Sequence, residues 1–122
     1  MTQNQCYLDL IGKKCVPCEG GTPPLTEAEA QKFLEGTTGW MYENNKLWRE
    51  IVFKDFLSAV EFINRMAKIA EGEGHHPNFA LHSWNKVKVE LWTHAIGGLS
   101  ENDFILAAKV NKMLEENPGL LK

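Results

Sequence analysis

Three of the four histidines in this chain lie at the two ends of one predicted β-hairpin. His75 and His76 precede a proline at the start of the hairpin, and His94 follows its second strand. Histidine is the side chain whose ordinary pKa lies closest to neutrality, so clustered imidazoles suit proton transfer in water. We therefore expect the three histidines to line one pocket, which is the candidate functional site.

A zinc site built from the same histidines is one alternative. The sequence has no helical His-x-x-x-His spacing, and Pro77 restricts His76 to extended geometry, so the adjacent imidazoles diverge. Nucleophilic catalysis is a weaker alternative, because Ser83 and Ser100 lie in no nucleophile elbow and no cysteine is near in sequence. Purely structural histidines remain a third. The pattern favours general acid–base chemistry on a small polar heterocycle.

The overall composition is that of an ordinary globular domain. A chain of 122 residues, 43% hydrophobic and 24% charged, can bury one hydrophobic core without needing disulfide bonds or a structural metal ion. The net charge is −3 and the lysines are scattered, so we expect no nucleic-acid partner. No apolar run approaches the ~20 residues that span a bilayer, and the N-terminus carries no secretory pattern. We therefore expect a cytoplasmic protein without membrane contact.

The cysteines Cys6, Cys15 and Cys18 all lie in a predicted N-terminal arm, residues 1–24. Cys15 and Cys18 have the spacing of a zinc knuckle or a redox dithiol. A structural zinc site needs a second pair, which is missing, and the Gly/Pro-rich segment 19–24 cannot open the helix of a redox motif. We expect reduced thiols and no metal, with metal binding between subunits as the alternative.

Residues 25–122 are predicted to form one domain with the order α-β-β-α-β-β-α. Its elements are a helix from the capping box at Thr26 to near Gly36, a hairpin over 40–54, a helix capped by Asp55, strands over 79–83 and 86–93, and a helix starting at Ser100. The helices are apolar on one side, and the last strand alternates valine or leucine with charged residues. This pattern predicts an α+β fold, a four-stranded antiparallel sheet with three helices packed on one face.

The other face of the sheet is predicted to carry an apolar strip. Trp48, Val52 and Trp92 have the opposite parity to the core positions of their strands. Such strips often mark subunit contacts.

Several segments together resemble the pterin-4a-carbinolamine dehydratase family. They are Glu71 to Pro77, Asn85 to Val89, Thr93-His94 and Gly98 to Asp103. The resemblance covers about residues 25–115. The family commonly has an acidic and an aromatic residue after the proline, where Asn78 and Phe79 stand here, and the following loop is one residue longer in this chain.

The resemblance implies dehydration of 4a-hydroxytetrahydropterin to quinonoid dihydropterin in tetrahydropterin (tetrahydrobiopterin) recycling. It implies no metal and no organic cofactor, a homodimer or homotetramer, and an aromatic amino-acid hydroxylase in the same pathway. Two other roles remain open: a non-catalytic dimerisation partner or co-activator of a transcription factor, and a pterin-binding protein in molybdopterin metabolism.

The resemblance also implies roles for individual residues. His75 and His94 are the acid–base pair, in an order that stays open, and His76 holds the pterin ring. Asp103 is expected to orient His94 or to act only as a first-turn carboxylate of the last helix. Glu71 is expected to orient His75 or to remain exposed. The implied catalytic residues are His75, His76, His94 and Asp103, and the implied substrate contacts are His76, Glu71, Asn78, Phe79 and Trp92.

Overall fold

The computed structural model describes residues 10–13, 15 and 23–122. Its main elements are α1 (Glu27–Leu34), β1 (Met41–Glu43), β2 (Lys46–Val52), α2 (Phe56–Glu73), β3 (Asn78–His82), β4 (Lys86–Leu91) and α3 (Glu101–Glu116). Short 3-10 helices cover His94–Ile96 after β4 and Pro118–Leu120 after α3. Cys6 and Cys18 lie outside the described residues, as does most of the predicted arm.

The four strands form one antiparallel sheet in the order β1-β2-β4-β3. The predicted α-β-β-α-β-β-α order and the α+β fold are therefore confirmed. The expected end of the last strand at Thr93 is wrong, because β4 ends at Leu91 and the chain then turns into a 3-10 helix. Ser83 and Trp84, with φ of 50° and 61°, form the turn that ends β3 one residue earlier than predicted.

Local hydrogen bonds explain where the helices begin and end. Thr26 and Glu29 form the predicted capping box, in which each side chain accepts the other residue's backbone N–H. Asp55 Oδ1 accepts the backbone N–H of Ser58 at 2.7 Å and caps α2. Gly74 ends α2 in the left-handed conformation, with φ of 68°. This turn directs the chain from α2 into the histidine pair.

The core lies between one face of the sheet and the helices. On β4 the burial alternates as the sequence predicts, with Val87, Val89 and Leu91 at most 1% exposed. The helices α2 and α3 contribute buried apolar side chains to the same core, which are Ala59, Phe62, Met66, Ala70, Phe104, Ala107 and Ala108. The ends of α2, β4 and α3 that carry the candidate site therefore project from one continuous core.

The outer face of the sheet carries the predicted strip in half-buried form. Trp48, Val52 and Trp92 are each partly exposed there. Lys88 Nζ lies 5.0 Å from the ring centre of Trp48, and Lys46 Nζ lies 4.2 Å from that of Trp92. Lysine side chains thus cover part of the indole surface. Among the described residues, no helix combines the length and the hydropathy needed to cross a membrane.

Replacing Asp55 by Ala is expected to lower the thermal unfolding midpoint at neutral pH, because the start of α2 loses its cap. The hydrogen bond from Ser58 lowers the pKa of Asp55 in the folded protein. A group with a lowered folded-state pKa stabilises the protein above its unfolded pKa, and this contribution is lost as the pH falls through the folded value. The midpoints of the variant and the wild type, measured by circular dichroism, should therefore converge in acid.

The matched control is Asp55→Asn, since asparagine caps helices without a titrating charge. It should retain most of the stability at neutral pH. A gap between Asp55→Ala and wild type that persists undiminished in strong acid would contradict this account of the cap.

Candidate active site

His75 is fixed at the point where α2 ends. Its backbone N–H bonds to the carbonyl of Ala70 at 3.2 Å, directly after the left-handed Gly74. Its ring Nε2 lies 2.6 Å from Oδ1 of Asp103, in the first turn of α3. The His75 side chain is 12% exposed and the Asp103 side chain is fully buried. The α2 and α3 ends are thus joined by a short, largely desolvated imidazole–carboxylate contact.

Asp103 uses its second carboxylate oxygen as well. Oδ2 accepts the hydroxyl of Thr93 at 2.9 Å and the backbone N–H of Ser100 at 3.0 Å. A buried charge is tolerated only when its acceptor positions are satisfied, and here three donors from separate segments supply that requirement. The first-turn capping role expected for Asp103 is therefore present alongside its contact with His75.

The network fixes which nitrogen of His75 carries the proton in the neutral ring. An ionised carboxylate only accepts hydrogen bonds, so Nε2–H of His75 must donate to Asp103. The neutral imidazole then has its lone pair on Nδ1, which makes no hydrogen bond to the described residues and is not among buried atoms left without a partner. His75 is consequently arranged to take up a proton at Nδ1 and to hold the resulting charge against Asp103.

The structure pairs the two acidic residues with different histidines from those expected. Asp103 contacts His75 rather than His94, because Thr93 turns inward to the carboxylate while His94 lies beyond it in the exposed 3-10 helix. Glu71 contacts His76 rather than His75, with Oε1 2.7 Å from Nε2. That second pair is open to solvent, since the two side chains are 63% and 82% exposed. Such a pair constrains His76 weakly.

His94 is exposed, and its ring packs against that of Trp92, two residues earlier in the chain. Its ring centre lies 4.2 Å from that of Trp92, with the planes inclined by 35°. The backbone N–H of Thr93 bonds to the carbonyl of Gly98 at 2.8 Å, which closes the short loop that contains His94. The ring of Trp92, predicted to contact substrate, therefore contacts both His94 and Lys46.

The hydrogen bonds of Asp103 bring together three of the segments that carry candidate residues. His75 and Thr93 share Asp103, so the end of α2 meets the end of β4, and His94 follows directly. Asn78 and Phe79 are exposed at the start of the edge strand β3, close in sequence to the histidine pair. In contrast, His82 bonds to Glu50 on the outer face of the sheet. Within residues 10–13, 15 and 23–122, no group of His, Cys, Asp and Glu side chains suits a metal ion.

Cys15 contacts the last residue of α2 and the first turn of α3. Its backbone N–H bonds to Oε1 of Glu73 at 2.8 Å, and its thiol contacts the carbonyl of Asn102. Burial, reinforced by the charge of Glu73, raises the pKa of the Cys15 thiol to about 12. The thiol is therefore held in its protonated, weakly nucleophilic form near neutral pH.

The sequence assigned no role to the hydroxyl of Thr93 and placed Ser100 only as the cap of the last helix. Both residues stand in the segments that carry the family resemblance, and their hydroxyl oxygens lie 2.7 Å apart. The available signal was the position of Thr93 directly before His94 and of Ser100 at the start of the helix that contains Asp103.

Comparison with known proteins identifies the family. Residues 23–113 match the model of the family described as pterin 4 alpha carbinolamine dehydratase. The chain belongs to this family. It is 50% identical over 114 residues to the mitochondrial pterin-4-alpha-carbinolamine dehydratase 2 of Arabidopsis thaliana, covering 89% of this chain but only 61% of the relative. It is 49% identical over 107 residues to a putative pterin-4-alpha-carbinolamine dehydratase of Rickettsia canadensis, covering 86% and 97% of the two chains.

A solved structure supports the same assignment. The transcriptional coactivator/pterin dehydratase from Brucella melitensis superposes with a TM-score of 0.70 at 35% identity, covering 74% of this chain and 97% of that one. The family fold thus agrees with the sheet and helices described above.

Replacing Asp103 by Asn is expected to lower the free energy of unfolding by about 1.5–3 kcal/mol, the usual contribution of hydrogen bonds to a charged group. An amide cannot accept from His75 on one side and from Thr93 and Ser100 on the other. The matched control is Glu71→Gln, which alters the exposed pair with His76 and should cost less than about 1 kcal/mol. Urea denaturation at neutral pH measures both values. Equal losses for the two variants would contradict the difference in burial.

Proposed function

We propose that this protein dehydrates 4a-hydroxytetrahydropterin to quinonoid dihydropterin by histidine general acid–base catalysis. Membership of the dehydratase family supports the reaction class. The observation that carries the mechanism is the buried contact between His75 and Asp103, which leaves Nδ1 of His75 as a base. The chain spans only 61% of the length of the Arabidopsis relative. We therefore base the proposed activity on the site residues of this chain together with its family membership.

The reaction removes water across the bond between N5 and C4a of the pterin. One proton leaves N5, the C4a–O bond breaks, and the departing hydroxide receives a proton to become water. We assign the first transfer to Nδ1 of His75, since Asp103 stabilises the imidazolium that forms. We assign the second to His94, whose exposed imidazolium meets solvent and regains its proton from it. Each such transfer typically contributes ~10²–10⁴-fold to the rate.

His76 is proposed to hold the pterin ring. Its weak pairing with exposed Glu71 is easily exchanged for hydrogen bonds to the polar edge of a heterocycle. Phe79, 48% exposed, is proposed to offer an apolar surface to the ring, and Asn78 a polar contact beside it. Trp92 is proposed to support His94 through ring stacking. Only the edge of the stacked Trp92 ring is then expected to contact the substrate.

The reaction as written moves protons and releases water without transferring electrons. Because the two imidazoles account for both proton transfers, we propose that the reaction needs neither a metal ion nor an organic cofactor. The wider setting proposed is tetrahydropterin recycling by a cytoplasmic homodimer or homotetramer, alongside an aromatic amino-acid hydroxylase. The Brucella melitensis protein is described both as a coactivator and as a dehydratase, so its name is compatible with a transcriptional role without favouring one.

A stopped-flow assay of 4a-hydroxytetrahydropterin decay, followed by ultraviolet absorbance, tests the proposed function. The protein is expected to accelerate the decay, and a metal chelator should leave the acceleration unchanged. His94→Ala should reduce the rate by at least ~10²-fold, the lower end of an acid–base contribution. Its melting temperature should remain close to that of the wild type because the side chain is exposed.

His82→Ala is the matched control, since His82 is an exposed histidine paired with Glu50 on the outer face of the sheet. Its rate should equal that of the wild type. A folded protein without acceleration, or an equal loss of rate in His82→Ala and His94→Ala, would overturn the proposed function.

A further inference from the structure

We infer that the Thr93 hydroxyl is a positioning group for the acid–base pair, acting through Asp103 with Ser100 behind it. The inference rests on the proposed function, because it assigns Thr93 to the same reaction. Thr93 does not touch the reacting atoms in this account. It acts by donating a hydrogen bond to the Asp103 carboxylate, which in turn accepts one from His75.

The direction of each hydrogen bond follows from a count of protons. Thr93 Oγ1 lies 2.9 Å from Oδ2 of Asp103 and 2.7 Å from Oγ of Ser100. A hydroxyl carries one proton, and the carboxylate has none to give, so Thr93 donates to Asp103. The hydroxyl of Ser100 must then donate to Thr93. Ser100 therefore donates to Thr93, and Thr93 donates to Oδ2 of Asp103. The other carboxylate oxygen, Oδ1, accepts the hydrogen bond from His75.

This series of hydrogen bonds fixes the rotation of the Asp103 carboxyl group. With the Thr93 hydroxyl present, Oδ2 has two donors and Oδ1 faces Nε2 of His75. Without it, Oδ2 keeps only the backbone N–H of Ser100, and the carboxyl group can turn about its Cβ–Cγ bond. The imidazole then loses a fixed partner at Nε2, and Nδ1 loses its fixed direction towards substrate.

Thr93 also connects the two acid–base histidines. Its side chain leads through Asp103 to His75, while its backbone continues directly into His94. The backbone N–H of Thr93 bonds to the carbonyl of Gly98, so the residue is anchored from the other side as well. A shift of Thr93 therefore changes the spacing between the two groups that transfer protons.

A second buried threonine shows what a merely structural hydroxyl looks like in this fold. Thr37 is fully buried, and its hydroxyl bonds at 3.3 Å to the carbonyls of Phe33 and Leu34 at the end of α1. Thr93 is similarly buried, at 5% exposure, but donates to a charged side chain. Thr37→Val is therefore a matched control for the loss of a buried hydroxyl.

The test compares Thr93→Val, Thr93→Ser and Thr37→Val with the wild type. Thr93→Val should lower kcat of the dehydration by roughly 10–100-fold, the scale of a misplaced catalytic group, with little change in KM. Thr93→Ser retains the hydroxyl and should restore kcat. Thr37→Val should retain wild-type kcat. If Thr93→Val does not fold, Thr93→Ala removes the same hydroxyl without adding volume and takes its place.

A second readout is independent of activity. The Nε2–H proton of His75, assigned in the proton NMR spectrum by its loss in His75→Gln, should exchange with water faster in Thr93→Val than in the wild type. Exchange in Thr93→Ser and Thr37→Val should match the wild type. If the wild type does not dehydrate the carbinolamine but exchange follows this order, the proposed function fails, and only the structural part of the inference stands, namely that Thr93 holds His75 through Asp103. Wild-type kcat and wild-type exchange in Thr93→Val would overturn the positioning inference.

Discussion

The Asp103 carboxylate is the constraint on which the site depends. It is fully buried, and a buried charge is costly unless it is paired and hydrogen-bonded. Its donors come from His75 after α2, Thr93 after β4 and the backbone of Ser100 at the start of α3. Satisfying one carboxylate therefore brings the end of α2 to the loop that connects β4 with α3. The sheet and helices supply the rigid support that holds those segments there.

Burial gives two adjacent histidines different properties. His75 and His76 each lie within 2.7 Å of a carboxylate oxygen. The first contact is desolvated and fixes a tautomer, whereas the second is in water and competes with solvent. One imidazole is therefore suited to a defined proton transfer, and its neighbour remains adaptable for binding. Sequence adjacency places both at one site, and the left-handed turn at Gly74 separates their environments.

The fold was predictable because its signals are local. Alternation along β4, the capping box at Thr26 and the cap at Asp55 act over a few residues, and each is found where the sequence indicates. The pairing of acids with histidines was not predictable, since the partner of Asp103 depends on how α2 and α3 cross. The early end of β4 likewise follows from a loop closed by the backbone of Thr93 and Gly98, which no alternation pattern encodes. The positions of the histidines could be found from the sequence, but the carboxylate that pairs with each of them could be found only from the structure.

The central claim is that Asp103 holds neutral His75 as the Nε2–H tautomer with Nδ1 free to accept a proton. Nitrogen-15 NMR of the histidine-labelled protein, recorded at a pH where His75 is neutral, tests this claim directly. The account predicts a protonated Nε2 and an unprotonated Nδ1 for His75, with a rapidly averaging mixture for exposed His76. A His75 ring protonated at Nδ1, or one that averages between tautomers as His76 does, would contradict the account.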